Sequence, residues 1–402
     1  MGREKQQKQH GLKAPFELER YFALHEFTAK HLLCVSDCES MTVAELLAME
    51  EEGSEAVLEG LLSLRLGYTE TKGSPQLRKL LAECLSESVT AEEGRGASQL
   101  TAGHLLLNAG QEGIFLFFSA LFRPGDHIIV QYPCYMSHYA VAEEAGCSIT
   151  KWVAQEEHGW SLDVDFLERN IKPETKAIVI SSPHNPTGYH ISHEALHHII
   201  DVARKHDLWV FSDEAYRMLE HDEADRLPCV AHIYEKGVSL GALSKGFGLP
   251  GLRIGWLACR DEKALDAMAA LKDYTTICSS APSEYLATIA LKQRRAILQR
   301  NLSVVRSNLQ LLDAFITKHS SLFSWHKPKA GSVAFVRLLR AGDEGEGAKA
   351  FCERVVKGCG VLLLPSTCFD FGDDHFRVGY GRKNMPEALA VLDAFLTQEY
   401  RK

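Results

Sequence analysis

From about residue 75 onward, short runs of apolar residues that end in polar loops alternate with longer stretches of helical period. The runs at 127–130, 176–181, 208–212, 238–243 and 253–259 are predicted strands. Several carry apolar side chains at consecutive positions and so have no wet face, as expected of parallel strands covered on both sides. Helices are predicted at 77–85, 113–121, 139–145 and 193–205. This alternation is the βαβ rhythm of an α/β fold with a mostly parallel central sheet between helices. After residue 282 the pattern changes: 283–316 has a long helical period, and a mixed α/β tail follows. A boundary is therefore expected near residue 285, with 56–285 as a large domain and 286–402 as a smaller α/β domain. Residues 1–55 show no strand rhythm; the first 13 or so read as a polar arm, and the rest as a segment packing against the tail to complete the smaller lobe.

Composition narrows the function classes. A chain of 402 residues is long enough for two lobes. Its formal net charge of -9, without a dense basic stripe, argues against binding nucleic acid or an anionic membrane. No apolar run approaches the ~20 residues that span a bilayer, and MGREKQQKQHG at the start lacks a hydrophobic signal core. Position 6 is Gln6, so the usual myristoylation pattern after Gly2 fails. The 11 cysteines are scattered and include no C-x-x-C, which fits reduced thiols and a cytoplasmic protein. His193, Glu194, His197 and His198 imitate a metal-binding spacing but lack a third convincing ligand, so no metal is expected.

In an open parallel sheet, ligands gather beyond the carboxyl ends of the strands, which makes the loop after each apolar run informative. One run leads into SPHNPTG (182–188), the next into SDEAY (212–216), and the next into LSKGFGLPGLRIG (243–255). These loops bring an amide, a carboxylate with a phenol, and a lysine with an arginine toward one place. A carboxylate, a lysine and an anion site together suit a phosphorylated pyridine aldehyde.

The three motifs, in this order, resemble the class I/II aminotransferases, enzymes of pyridoxal 5'-phosphate (PLP) fold type I, over about 67–377. The resemblance implies that Lys245 binds PLP as a Schiff base and, once released by substrate, shuttles a proton between Cα and C4'. It implies that Asp213 pairs with the pyridine nitrogen, and that Asn185 and Tyr216 bond the ring's 3'-oxygen. Phosphate is expected on the unpaired backbone N–H groups of the segment 108–112, among them those of Gly110, Gln111 and Glu112, where a strand-like run gives way to a helix N-terminus, and on Arg253. Three residues before Lys245, where the family often has Ser or Thr, this chain has Ala242. One phosphate hydrogen bond is then missing, or is made by Ser244 or a water.

Tyr135 in YPCY matches the aromatic residue that stacks on the ring. Tyr68 resembles the tyrosine that reaches the neighbouring subunit's phosphate, implying a homodimer with shared active sites. Arg377 in FRVGYG matches the arginine that, with Asn185, receives the substrate α-carboxylate, a task suited to a planar bidentate donor. The expected activity is transamination of an L-α-amino acid to its keto acid.

A second likeness, carried by APFELERYF, GYTETKGSPQLR and LSKGFGLPGLRIGW, is to capreomycidine synthases, PLP enzymes that cyclise a hydroxylated arginine. It keeps open a lyase or cyclase that uses the same carbanion, since fold does not decide between these outcomes. A protein of this fold that had turned into a non-catalytic binding module should have lost Lys245, Asp213 or Arg377, and all three are present.

Overall fold

The structure, a computed structural model, describes residues 15–50, 54–87, 99–339 and 345–399. Its centre is a seven-stranded sheet. From one edge the strands are Leu105–Asn108, Gly255–Cys259, Gly237–Ala242, Trp209–Asp213, Thr175–Ser181, His127–Tyr132 and Ser148–Val153. Gly255–Cys259 runs against both its neighbours, and the other strands share one direction. The sheet is thus mixed and mostly parallel.

Its central strands carry unbroken apolar runs, as at 177–180 and 209–211, because helices cover both faces. Ile178, Val179, Val210 and Phe211 have no exposure at all, and each such side chain contributes roughly 1.5–3 kcal/mol on burial. Helix His193–Lys205 shows how sequence sets a covering element. Ser192 caps it by accepting from Ala195 N, and Leu196, Ile199, Ile200 and Ala203 turn one face to the sheet. Strand Ser148–Val153, absent from the sequence reading, lies at an edge and buries only Trp152, so it carries no apolar run.

The run at 253–259 is strand only from Gly255; Arg253 sits before it in the left-handed region at φ 53°. Because this strand is reversed, its beginning lies at the edge where the parallel strands end. That reversal brings Arg253 beside the other loops.

A second, four-stranded antiparallel sheet is ordered Leu364–Pro365, His375–Gly379, Val333–Leu338, Phe323–Trp325. The stretch at 283–316 is two helices, Ala281–Lys292 and Arg294–Lys318. A boundary at residue 285 falls inside the first of them. Ile297 and Leu298 pack with the core beside the large sheet, whereas Val305, Leu309 and Leu312 pack beneath the small one. The N-terminal segment divides in the same way. His31–Leu32 forms a two-residue strand parallel to Val361–Leu362 of the small lobe, but Leu46 and Leu47 pack with Leu77, Leu81 and Ala287 on the large side.

Candidate active site

A cavity of about 430 Å³ opens at the carboxyl edge of the large sheet, between it and the small one. Apart from Glu112 and Tyr68, every site residue singled out from the sequence lines it. Asp213 ends its strand with its carboxylate held on two sides: Oδ1 accepts from Ala215 N at 3.0 Å, and Oδ2 lies 3.0 Å from His138 Nε2. Three residues on, a turn brings Tyr216 to the same wall. Its hydroxyl is buried and has no hydrogen-bond partner among the described residues.

Lys245, just beyond strand Gly237–Ala242, donates from Nζ to Ser36 Oγ at 2.7 Å, and Nζ lies 5.8 Å from the centre of the Tyr216 ring. Arg377 comes from the small sheet and is 2% exposed. Its Nε and Nη2 both donate to Cys34 O, at 3.1 and 2.8 Å, and Nη1 donates to Asn185 Oδ1 at 2.9 Å. One guanidinium therefore ties the small lobe, the N-terminal segment and the SPHNPTG loop together.

At the other end of the cavity Gly110, at φ 72°, turns the chain from strand Leu105–Asn108 into helix Gln111–Leu121. A left-handed residue there favours glycine. The first N–H groups of that helix have no intrahelical acceptor and the helix dipole adds positive potential, so this end attracts an anion. Arg253 stands beside it, donating to Pro250 O and Ala109 O, both at 3.2 Å. Ala242 and Ser244 face the same space.

Two residues singled out for the phosphate have side chains that do not line this cavity. The Glu112 carboxylate accepts from Ala109 N at 3.2 Å and from the hydroxyls of Thr275 and Thr276, turning toward a neighbouring depression. The part expected of Glu112 is its backbone N–H in the first turn of the helix, and the carboxylate, which would repel a dianion, is engaged away from that place. Tyr68 is 90% exposed and outside the cavity of its own chain.

The structure also brings in residues that sequence reasoning missed. His138 follows Tyr135 by three residues, a helical spacing that could have singled it out. Ser36 and Arg382 reach the cavity, and Arg382 Nη2 donates at 2.8 Å to Oδ2 of Asp37, which also lines it and which the sequence offers, beside Glu39 and Glu70, as an acidic residue for a basic substrate. Helix Glu17–His25 supplies Leu18, Glu19 and Phe22 to one wall, with Glu26 just after it. Tyr135 donates to Glu19 at 3.1 Å. Burial raises the Tyr135 phenol, with the Glu19 charge adding to it, and burial also raises the Glu26 carboxyl. Behind Asn185, burial pushes His184 down to about 3, and the nearby His138 adds to the effect. Among the described residues no group of three His, Cys, Asp or Glu is placed to hold a metal, and no helix is long and apolar enough to cross a membrane.

The donor set fits PLP. An amine at a strand end, an anchored carboxylate, a buried phenol hydroxyl without a partner, and an arginine beside a helix N-terminus meet in one cavity of suitable size.

Known proteins agree with this chemistry. The family model for aminotransferase class I and II matches residues 29–392. The chain is 28% identical to capreomycidine synthase of Streptomyces vinaceus over 294 residues, 72% of this chain and 74% of that one. It is 29% identical to aspartate/prephenate aminotransferase of Thermus thermophilus over 353 residues, 84% of this chain and 86% of that one. Among solved structures, a PLP-dependent aminotransferase from Streptococcus suis superposes with a TM-score of 0.87 at 29% identity, covering 96% of this chain and 99% of that one. With a match that runs through nearly its whole length, the protein belongs to the class I and II aminotransferases, and its cofactor is PLP.

Proposed function

We propose that the protein transfers the amino group of an L-α-amino acid, leaving the keto acid, with the lysine, carboxylate and arginine of the cavity as its working parts. The observation that carries this reading is the meeting of Lys245, Asp213, the unpartnered Tyr216 hydroxyl and Arg377 in one cavity.

When bound, PLP supplies an electron sink conjugated to the amino acid's Cα. Lys245 would anchor it covalently, and its amine, once released by substrate, would be the base that moves the proton held at Cα. Asp213, fixed by His138 and Ala215 N, would hold the pyridine nitrogen protonated. Tyr216, whose hydroxyl has no partner among the described residues, and Asn185, through its amide N–H, would both donate to the 3'-oxygen. The N–H groups of Gly110, Gln111 and Glu112, with Arg253, would hold the phosphate, Ser244 or a water would stand in for the hydroxyl that Ala242 lacks, and Tyr135 would stack on the ring. Arg377 turns its fork to the α-carboxylate, and its fixed contacts to Cys34 O set the angle.

The working unit we infer is a homodimer in which Tyr68 of one protomer completes the neighbour's phosphate site. Tyr68, Leu66 and Tyr274 are 90%, 81% and 89% exposed, an apolar surface suited to a second copy. Within each protomer we place the lobe boundary in helix Arg294–Lys318, where packing passes from one core to the other. Nine of the eleven free cysteines are buried and none is paired, which supports a cytoplasmic enzyme.

Likeness to capreomycidine synthase supports a second reading, in which the same carbanion ends in cyclisation or elimination. A single-turnover screen of amino acids separates the two. Stoichiometric keto acid with the amine form of the cofactor supports transamination; release of ammonia or water with the aldehyde form retained supports the second reading.

A further inference from the structure

The hydroxyl of Ser36 meets the Lys245 amine across 209 positions of sequence, at 2.7 Å. We infer that Ser36 is a positioning residue for Lys245, holding the amine in place once substrate has displaced it, so that it stays within reach of both Cα and C4'. This rests on the aminotransferase reading of Lys245.

Ser36 is suited to the task because its backbone is fixed from both lobes. Leu33 O accepts from Gly379 N at 2.8 Å, and Ser36 O accepts from Ser332 Oγ at 2.7 Å. On the other side Cys38 N donates to Lys245 O at 3.3 Å, and Glu39 N to Gly381 O at 2.9 Å. The strap lies so close to the small sheet that a Cβ on Gly379 would stand 1.7 Å from Val35 O. A side chain as short as serine on so fixed a backbone has little freedom left.

The lysine, in contrast, has a long stem with many rotamers. Free of its covalent bond, it spends time away from the transfer geometry unless something holds it. Among the described residues the hydrogen-bond partner of Nζ is Ser36. The proton balance is closed. The neutral amine takes the Cα proton, the resulting ammonium donates one N–H to Ser36 Oγ, and Lys245 gives a proton back at C4'. Ser36 gains and loses nothing, which is why it positions and does not react. The strap also joins two events. Cys34 O, which accepts both Nε and Nη2 of Arg377, lies two residues from Ser36, so the carboxylate site and the proton-transfer base share one short piece of backbone.

The test compares Ser36→Ala and Ser36→Thr with the parent holoenzyme, using Cα-protonated and Cα-deuterated forms of whichever amino donor the parent turns over. Misplacing the base is expected to lower kcat about 10-fold with KM changed less than about two-fold, and to raise the primary isotope effect on kcat as proton transfer becomes limiting. Ser36→Thr, which keeps the hydroxyl, should restore most of both. A second readout needs no turnover. Mixed with PLP, the Ser36→Ala apoprotein should form the coloured lysine adduct several-fold more slowly than parent, and the Thr variant at near-parental rate. An unchanged isotope effect and capture rate in Ser36→Ala overturns the inference. So does a Thr variant as slow as the Ala variant at parental melting temperature. A parent protein that captures no PLP sinks the aminotransferase reading itself, a result distinct from either.

Discussion

The Tyr216 hydroxyl is buried on a side chain that is 3% exposed, and among the described residues it has no partner. Leaving a buried polar group unpaired costs about 1–3 kcal/mol, whereas a hydrogen bond to an ionised acceptor contributes about 1.5–3 kcal/mol. The cofactor's ionised 3'-oxygen is such an acceptor, so removing the hydroxyl should have opposite effects in the two states of the protein. In the apoprotein Tyr216→Phe relieves an unmet desolvation cost. Part of that gain is lost to the small void left by the oxygen, and a net stabilisation of about 1 kcal/mol remains, raising the melting temperature by roughly 1–2 °C for a chain of this size. In the holoenzyme the variant loses the new hydrogen bond, and PLP affinity should fall roughly 10- to 100-fold. Thermal melts of cofactor-free protein and equilibrium titration with PLP measure the two effects separately. A variant that is less stable than parent without cofactor, yet binds PLP as tightly, refutes the assignment: the hydroxyl would then be satisfied within the apoprotein and idle toward the cofactor.

Other perturbations probe other walls. Arg377→Lys replaces a fork held on Cys34 O and Asn185 by a single ammonium, and should lower kcat/KM for α-amino acids roughly 10²-fold with little change in PLP affinity, read by steady-state kinetics. Asp213→Asn removes the charge that His138 and Ala215 N orient, and a loss of roughly 10²–10³-fold in kcat is expected in single-turnover assays. Gly241→Ala would put a Cβ 2.4 Å from the Trp256 ring, and should destabilise by about 1–3 kcal/mol in thermal or urea melts. His184 gives a pH signature: burial holds it at about 3 against an ordinary 6.5. Below that ordinary value the unfolded chain takes up a proton that the native protein refuses, so stability is full above it and declines as pH falls toward the folded value, by up to ~1.4 kcal/mol per unit. Urea melts near neutrality and at about pH 5 should show a smaller difference for His184→Gln than for parent.

What the sequence revealed and what it hid follow from the range of the forces involved. The central strands were legible because burial on both faces keeps a run of consecutive positions apolar, as at Ile178, Val179, Val210 and Phe211. Once a parallel sheet is inferred, the residues after those strands must meet at its carboxyl edge, and Asn185, Asp213, Tyr216 and Lys245 do meet there. Arg253 was found by motif, but the reason it arrives at that edge, a single reversed strand, has no local trace, since Gly255–Cys259 is as apolar as the parallel strands of the sheet. The orientation of Glu112 was equally hidden, because its carboxylate is drawn away by Thr275 and Thr276, some 160 positions later in the chain. Most obscure was the N-terminal side of the cavity. Strand His31–Leu32 is too short to show a period, and Ser36 and Asp37 sit in an irregular strap with no pattern of their own. What holds that strap are bonds such as Arg377 to Cys34 and Arg382 to Asp37, which span 343 and 345 positions. Periodicity is written over a few turns of chain, so it can report which face of an element is buried. It carries no record of which distant segment lies against that face, and here that segment supplies the partner of the lysine.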